Sequence, residues 1–242
     1  MRYFAALLIV LFAFPVYAAG NETNDSYGKA KKMLRQIYAD HRVTVYCEAS
    51  YDAENNIDLP AGFQTSAHPK RSGKIEWEHA APAENFGRAF REWREGDPQC
   101  VHKGRPFKGR RCAEKTNGDF RLMQADMHNL FPAIGSVNAS RGNRQYAELP
   151  FQRAAFGSCE AKYAGNKFEP PDQAKGEVAR ASLYMADSYK IFNLSKQQRQ
   201  LFEAWDKRFP VTPWECERNR RIAKAQGNDN PRVTAPCRKA GL

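Results

Sequence analysis

The sequence predicts a single α+β domain that is rich in helix and cross-linked by disulfides. Three observations support this. The 242 residues have a globular composition, 42% hydrophobic and 27% charged. Apolar residues recur at helical spacing towards both ends of the chain, whereas the β-forming runs between them are short. The cysteines form an even set of six, and no Pro- or Gly-rich linker divides the chain.

Residues 1–18 have the organisation of a secretory signal peptide. Arg2 precedes an apolar run from Phe4 to Phe14, and Ala18 supplies the small residue of a cleavage site. The run holds about eleven residues, whereas a membrane-spanning helix needs about 20. We therefore expect cleavage after Ala18, or alternatively one residue later. Residues 19–242 would then form a domain without membrane insertion, either periplasmic or secreted.

The cysteines fit such a compartment, because exported proteins commonly hold disulfides. One pair flanks a loop rich in Gly, Lys and Arg, and a second pair flanks a helix end and a Pro-containing tail. Six cysteines allow many pairings, but closing these two local loops leaves one remaining pair. The expected disulfides are Cys47–Cys159, Cys100–Cys112 and Cys216–Cys237.

In the first half of the chain, the pattern predicts one helix and two short strands. Ser26 is the expected start of a helix that runs to about Asp40, with apolar residues on one face and lysines on the other. Val43–Tyr46 and Ile75–Glu78 are rich in β-forming residues and are predicted strands. Residues 94–118 combine Lys and Arg with Gly and Pro, which is typical of a basic loop.

The C-terminal third is predicted to be helical. Ser195 begins a capping box, and Pro210 stops the helix that follows it. Thr212 is the expected cap of another helix, which has Pro at its first position and ends at Gln226, with Gly227 after it. The apolar face of a preceding helix is predicted from Val178, Ala181, Met185, Tyr189 and Phe192.

The charge balance indicates the kind of partner. There are 38 Lys and Arg against 27 Asp and Glu, a formal net charge of +11, which favours nucleic acid or another polyanion. The mean hydropathy of −0.73 excludes an integral membrane protein. The sequence contains no Gly-rich phosphate loop before a helix, no G-x-S-x-G and no H-E-x-x-H.

In two short segments, polar residues are flanked by apolar ones, and these polar residues are candidates for catalysis or metal binding. Glu78 and His79 stand together at a predicted strand end, where a carboxylate can hold a hard cation such as Mg²⁺ and an imidazole can take a proton from water. Asn129 precedes Pro132, so it is expected at a helix start, as an N-cap or as an oxygen ligand for a metal. His128 is expected to be packed or to orient a ligand.

The residues around these candidates resemble the bacterial endonuclease I family, whose members are exported non-specific nucleases with a ββα-metal (His-Me) finger. Several long motifs in the same order make this resemblance specific, and they extend over nearly all of the chain that follows the signal peptide. The matching segments are Lys74–Pro82, Gln124–Gly135, Arg141–Asn143, Phe156–Cys159 and Trp214–Asn228.

The resemblance implies a role for each candidate residue. Glu78 and Asn129 correspond to the family's metal ligands, and His79 to its general base. The family's phosphate-binding arginine lies in a Gly-Arg segment before a cysteine. The matching segment here is one residue shorter, so Arg110 is the expected arginine and Arg111 the alternative.

The implied function is that of a monomeric, Mg²⁺-dependent endonuclease. It would cut double- and single-stranded DNA, and RNA, leaving 5′-phosphate and 3′-hydroxyl ends, and Ca²⁺ or Mn²⁺ would substitute for Mg²⁺ in binding. The alternative is a non-catalytic exported nucleic-acid-binding protein, which accounts for the charge but not for the matching motifs. A zinc hydrolase using His79 and His128 lacks the usual ligand spacing.

Overall fold

The computed structural model describes residues 19–242, so the expected signal peptide lies outside the described residues. The helices are α1 (Tyr27–Ile37), α2 (Ala83–Gly87), α3 (Arg91–Arg94), α4 (Arg110–Thr116), α5 (Gly118–Gln124), α6 (Gly135–Arg141), α7 (Asp172–Ser188), α8 (Lys196–Arg208), α9 (Pro213–Gln226) and α10 (Pro231–Ala240). The strands are β1 (Ser50–Tyr51), β2 (Ile57–Asp58), β3 (Ile75–His79), β4 (Val101–His102), β5 (Arg105–Pro106), β6 (Leu130–Ile134), β7 (Gln145–Tyr146), β8 (Lys162–Ala164) and β9 (Lys167–Glu169). The helix-rich α+β class is therefore confirmed.

An antiparallel pair of strands, β3 and β6, lies at the centre of the molecule. His79 is opposite Leu130 at one end, and Ile75 is opposite Ile134 at the other. Helix α6 follows β6 without a loop, and its Arg141 donates hydrogen bonds to the carbonyls of His79 (3.0 Å) and Ala80 (2.6 Å). The end of β3 is thus fixed against α6.

The strand pair is packed on both faces. One apolar cluster joins Leu34 of α1 to Trp77 and Leu130 of the two strands. Another joins Phe131 of β6 to residues of α7 and α8, including Val178. The successive residues Leu130 and Phe131 of β6 therefore pack into different clusters on opposite faces of the pair. None of the helices within residues 19–242 is long and apolar enough to cross a membrane.

The predicted helix ends are confirmed where a capping side chain defines them. The side chains of Ser26, Ser195 and Thr212 accept hydrogen bonds from backbone N–H groups in the first turns of α1, α8 and α9. Gly227 ends α9 in the left-handed region, at φ +92°. Helix α1 stops at Ile37, short of the expected Asp40.

The predicted strand over Val43–Tyr46 is wrong. The segment enters a tight turn, in which the N–H of Thr44 donates to the carbonyl of Ala49 and Glu48 has a φ of +50°. Only Val43 makes an isolated bridge. The turn places Cys47 against Cys159, so a long-range disulfide overrides the local β propensity.

The predicted helix start at Asn129 is also wrong. Met127–Asn129 forms a single 3₁₀ turn, and Pro132 lies within strand β6. A two-stranded sheet has an unpaired edge on each strand, which is where a proline is tolerated. The helix begins instead at Gly135, where a Cβ atom would lie 2.3 Å from the carbonyl oxygen of Arg71, so this close approach requires glycine.

Three further segments differ from prediction. The basic loop over 94–118 contains the β4–β5 hairpin and helix α4. The Pro-containing tail forms α10, with Pro236 inside it. Tyr189 and Phe192 lie beyond the end of α7. All three expected disulfides are confirmed, and the described chain has no free cysteine.

Candidate active site

A cleft of about 780 Å³ opens beside strand β3. It is lined by residues of α1, β3, α6 and the start of α4, so distant parts of the chain meet there. Five cationic side chains line it against three acidic ones, which gives the cleft a positive balance suited to an anion. The cationic residues are Lys31, Arg35, Arg71, Arg110 and Arg141.

Glu78 reaches this cleft from β3, although its side chain is only 4% exposed. Its Oε1 accepts a hydrogen bond from the Tyr46 hydroxyl (2.9 Å) and lies 3.1 Å from Nη1 of Arg141. Within residues 19–242, no hydrogen bond engages Oε2. Burial raises the pKa of Glu78 to about 7, even though Arg141 and Tyr46 favour the ionised form. One carboxylate oxygen is therefore held in place while the other is free for a ligand.

His79 is the next residue and lines the same cleft. Its Nε2 lies 2.9 Å from the carbonyl oxygen of Gln124, and its ring packs 5.3 Å from that of Tyr27. A carbonyl oxygen only accepts, so Nε2 carries the proton and Nδ1 is left as an acceptor. Burial, reinforced by the charge of Arg110, lowers the pKa of His79 to about 3. The imidazole is therefore neutral at ordinary pH and available as a base.

Arg110 stands at the start of α4, at the edge of the cleft. Its Nε donates to Oε1 of Gln124 (2.7 Å), and the Nε2 of that glutamine donates to Glu114 (3.1 Å). The backbone carbonyl of Gln124 thus holds His79, and the side chain of Gln124 holds Arg110. Arg111 instead packs over the ring of Phe107, at 4.8 Å, and does not line the cleft. Of the two candidate arginines, the fold brings Arg110 to Glu78 and His79.

Asn129 does not join these residues. Its side chain is fully buried, and its amide forms a reciprocal pair with the backbone of Ala81: Oδ1 accepts from the N–H (2.7 Å) and Nδ2 donates to the carbonyl (2.9 Å). It therefore fixes the segment after β3 and does not line the cleft. His128 is also buried, with Nε2 2.9 Å from the carbonyl oxygen of Asn228, so it does not meet His79 in the cleft.

Asn138 of α6 occupies the place expected for Asn129. Its Nδ2 donates to Oε2 of Glu76 (2.7 Å), and Glu76 is paired in turn with Arg71. No hydrogen bond from the described chain engages Oδ1 of Asn138. The sequence contained the signal that locates it: if the apolar run over 130–134 is a strand, the next helix starts at Gly135 and presents Asn138 after one turn.

The site thus combines a buried carboxylate, a neutral imidazole, an amide oxygen and an arginine in a positive cleft, a combination typical of enzymes that act on phosphate groups. Comparison with known proteins specifies the family. The family model for Endonuclease I matches residues 16–237. The chain therefore belongs to the Endonuclease I family.

Named relatives extend over nearly the whole chain. An extracellular deoxyribonuclease of Aeromonas hydrophila is 37% identical over 234 residues, which cover 94% of each chain. A periplasmic deoxyribonuclease of the same species is 36% identical, covering 95% of this chain and 93% of the relative. Endonuclease-1 of Buchnera aphidicola subsp. Baizongia pistaciae is 33% identical, covering 88% and 85%.

Proposed function

We propose that this protein is an exported, Mg²⁺-dependent endonuclease that hydrolyses phosphodiester bonds in DNA and RNA without sequence specificity. The main support is the convergence of Glu78, His79 and Arg110 in one positively charged cleft. The names of relatives that match almost end to end support an exported deoxyribonuclease. The strand pair β3–β6 followed by α6 has the order of elements in a ββα-metal finger.

The donor atoms in the cleft fit a hard cation. Glu78 offers the carboxylate oxygen that receives no hydrogen bond within residues 19–242, and Asn138 offers its amide oxygen. Mg²⁺ prefers oxygen ligands and is commonly held by one or two carboxylates, with water and phosphate oxygens completing its coordination. We therefore assign Glu78 and Asn138, rather than Asn129, as the protein ligands. Bound Mg²⁺ would reduce the negative charge on the phosphate and on the leaving 3′-oxygen. Ca²⁺ and Mn²⁺ prefer similar ligands.

The protein side chains supply the remaining chemistry. Nδ1 of His79 accepts a proton from the water that attacks phosphorus, because Nε2 is already committed to the Gln124 carbonyl. Arg110 donates charge-assisted hydrogen bonds to the phosphate and stabilises the charge that builds up in the transition state. The bond between phosphorus and the 3′-oxygen then breaks, and the 3′-oxygen takes a proton from solvent water, which leaves a 3′-hydroxyl end and a 5′-phosphate end.

A plasmid-nicking assay tests this function. We expect purified residues 19–242 to convert supercoiled plasmid to open-circular and linear forms with Mg²⁺, and to lose this activity in EDTA. A non-catalytic nucleic-acid-binding protein would slow the migration of the plasmid in the gel under both conditions without cutting it. Slower migration without cleavage would therefore contradict the proposal. Single-stranded DNA and RNA serve as parallel substrates.

The pH dependence of cleavage follows from Glu78. Its raised pKa means that lowering the pH through about 7 protonates the carboxylate and opposes metal binding, whereas His79 stays neutral until about pH 3. We expect activity at low Mg²⁺ to fall below pH 7, and saturating Mg²⁺ to shift this decline to lower pH. Rate measurements over a grid of pH values and Mg²⁺ concentrations check this. If the pH at which activity declines does not depend on Mg²⁺ concentration, the decline reports the protonation of a group other than Glu78.

A further inference from the structure

The hairpin β4–β5 carries a concentrated positive charge outside the cleft. The segment 101–111 contains no Asp or Glu, and residues 101–106 are all exposed. It holds five Lys and Arg residues, which are Lys103, Arg105, Lys108, Arg110 and Arg111. Arg110 lines the cleft, whereas the other four lie outside its lining.

The protein itself does not neutralise this charge. Many other arginines are paired with acidic residues, as Arg121 is with Asp25. By contrast, the side chains of Lys103, Arg105 and Lys108 form no hydrogen bond or ion pair with any residue of the described chain. The acidic residues near the hairpin root are already engaged, because Glu95 pairs with Arg91, and Asp97 accepts from the backbone of Gln99. Three neighbouring cationic side chains are therefore available to bind an anion outside the protein.

The hairpin is attached firmly at its root. Cys100 and Cys112 are fully buried and form a disulfide, and the N–H of Phe107 donates to the carbonyl of Cys100 (2.8 Å). The N–H of Gly109 donates to the carbonyl of Trp93, which lines the cleft (3.0 Å). The backbone that carries the charges is therefore held in place at the cleft edge, so that little backbone entropy is lost on binding.

We propose that this hairpin is a second contact surface for duplex DNA, which holds the sugar-phosphate backbone away from the bond being cut. The inference rests on the proposed function and adds a binding surface to it. At about 3.3 Å per residue, the turn lies roughly 10 Å from the disulfide, a distance comparable to about three base-pair steps.

The composition of the hairpin favours a duplex over a single strand. Surfaces that bind single strands usually offer aromatic rings on which bases stack. Phe107 is the aromatic residue of this segment, and Arg111 packs over its ring at 4.8 Å. The other side chains that the hairpin segment offers are cations held on a rigid backbone. Such a surface suits regularly spaced phosphates and does not recognise individual bases.

The test compares two triple variants with equal loss of charge. The first carries Lys103→Gln, Lys108→Gln and Arg105→Gln. The control carries Lys207→Gln, Lys224→Gln and Lys239→Gln, at exposed positions of the C-terminal helices that do not line the cleft. Affinities for a 30-base-pair duplex and for a 30-nucleotide single strand are measured against salt concentration for both triples in the His79→Ala background. Mg²⁺-dependent cleavage of a dinucleotide, which reaches only the cleft, is measured for both triples with His79 intact.

We expect the hairpin variant to lose about tenfold or more in duplex affinity at 0.1 M salt, and its slope of log affinity against log salt to become shallower by about 2 to 3. In the control variant, the duplex affinity and the salt slope should change far less. Both triple variants should cleave the dinucleotide at the rate of the parent. Equal losses in the two triples, or a loss confined to single-stranded DNA, would overturn the proposed surface. If the parent with His79 intact cleaves neither plasmid DNA nor the dinucleotide in Mg²⁺, the proposed function fails, whatever the hairpin does.

Discussion

Replacing His79 by alanine is expected to slow DNA cleavage by about 10² to 10⁴, the usual contribution of a positioned general base. Divalent-metal binding and DNA binding should survive, because Glu78 and Asn138 are unchanged. Added imidazole should recover part of the lost rate by entering the space beside Tyr27 that the ring occupied.

The matched change at Glu78 should have a different signature. Glu78→Gln keeps the shape of the side chain but removes its charge, so we expect metal affinity to fall and cleavage to be lost, with a little activity restored by extra Mg²⁺. The glutamine variant is preferable to alanine. Truncation would remove the side-chain oxygen that faces the buried Arg141, whereas glutamine keeps an amide oxygen there, and removing one partner of a buried pair costs about 3 to 5 kcal/mol.

Calorimetric metal titration of both variants, together with nicking rates and thermal unfolding, separates the two roles. The assignment requires that metal binding survives without His79 and weakens without Glu78. If His79→Ala abolishes metal binding while Glu78→Gln retains it, the roles are reversed and the assignment at this site is wrong.

A second large effect is expected at the two asparagines. Asn138→Ala should weaken metal binding and cleavage sharply and change stability little, because the side chain is half-buried and its amide reaches Glu76 at the cleft edge. Asn129→Ala should lower stability and change metal binding little. It leaves the N–H and carbonyl of Ala81 buried without partners, at about 1 to 3 kcal/mol for each group.

Denaturant unfolding and metal titration of both alanine variants, under conditions where each is folded, test this distinction. We expect the midpoint of unfolding to drop for Asn129→Ala while its metal affinity stays near that of the parent. Asn129→Asp is the informative control, since it keeps Oδ1 for the Ala81 N–H but replaces the donor facing the carbonyl. Loss of metal affinity in Asn129→Ala, with Asn138→Ala unaffected, would restore the ligand assignment made from sequence.

Local chemistry explains which elements were predictable. Ser195 and Thr212 cap helices through contacts with residues only a few positions away, so the helix starts could be predicted from the sequence itself. The segment 43–46 has β propensity, but the turn into which it folds depends on Cys159, far along the chain. Leu130–Ile134 was predicted as part of a helix because of Pro132, whereas pairing with β3 makes it a strand.

The sequence alone determined the family, the basic character and the adjacency of Glu78 and His79, because motifs and charges are properties of the chain itself. It also predicted the disulfide pairing, which the structure confirms. Only the tertiary structure decided which polar residues share a cleft. Asn129 and Asn138 are both amides, nine residues apart in the sequence, and each is chemically able to bind a metal. Burial against the backbone of Ala81 commits the first to hydrogen bonds within the protein, whereas the first turn of α6 after β6 brings the second to the cleft that Glu78 lines. That choice depends on strand pairing between segments some fifty residues apart in sequence, which no local pattern encodes.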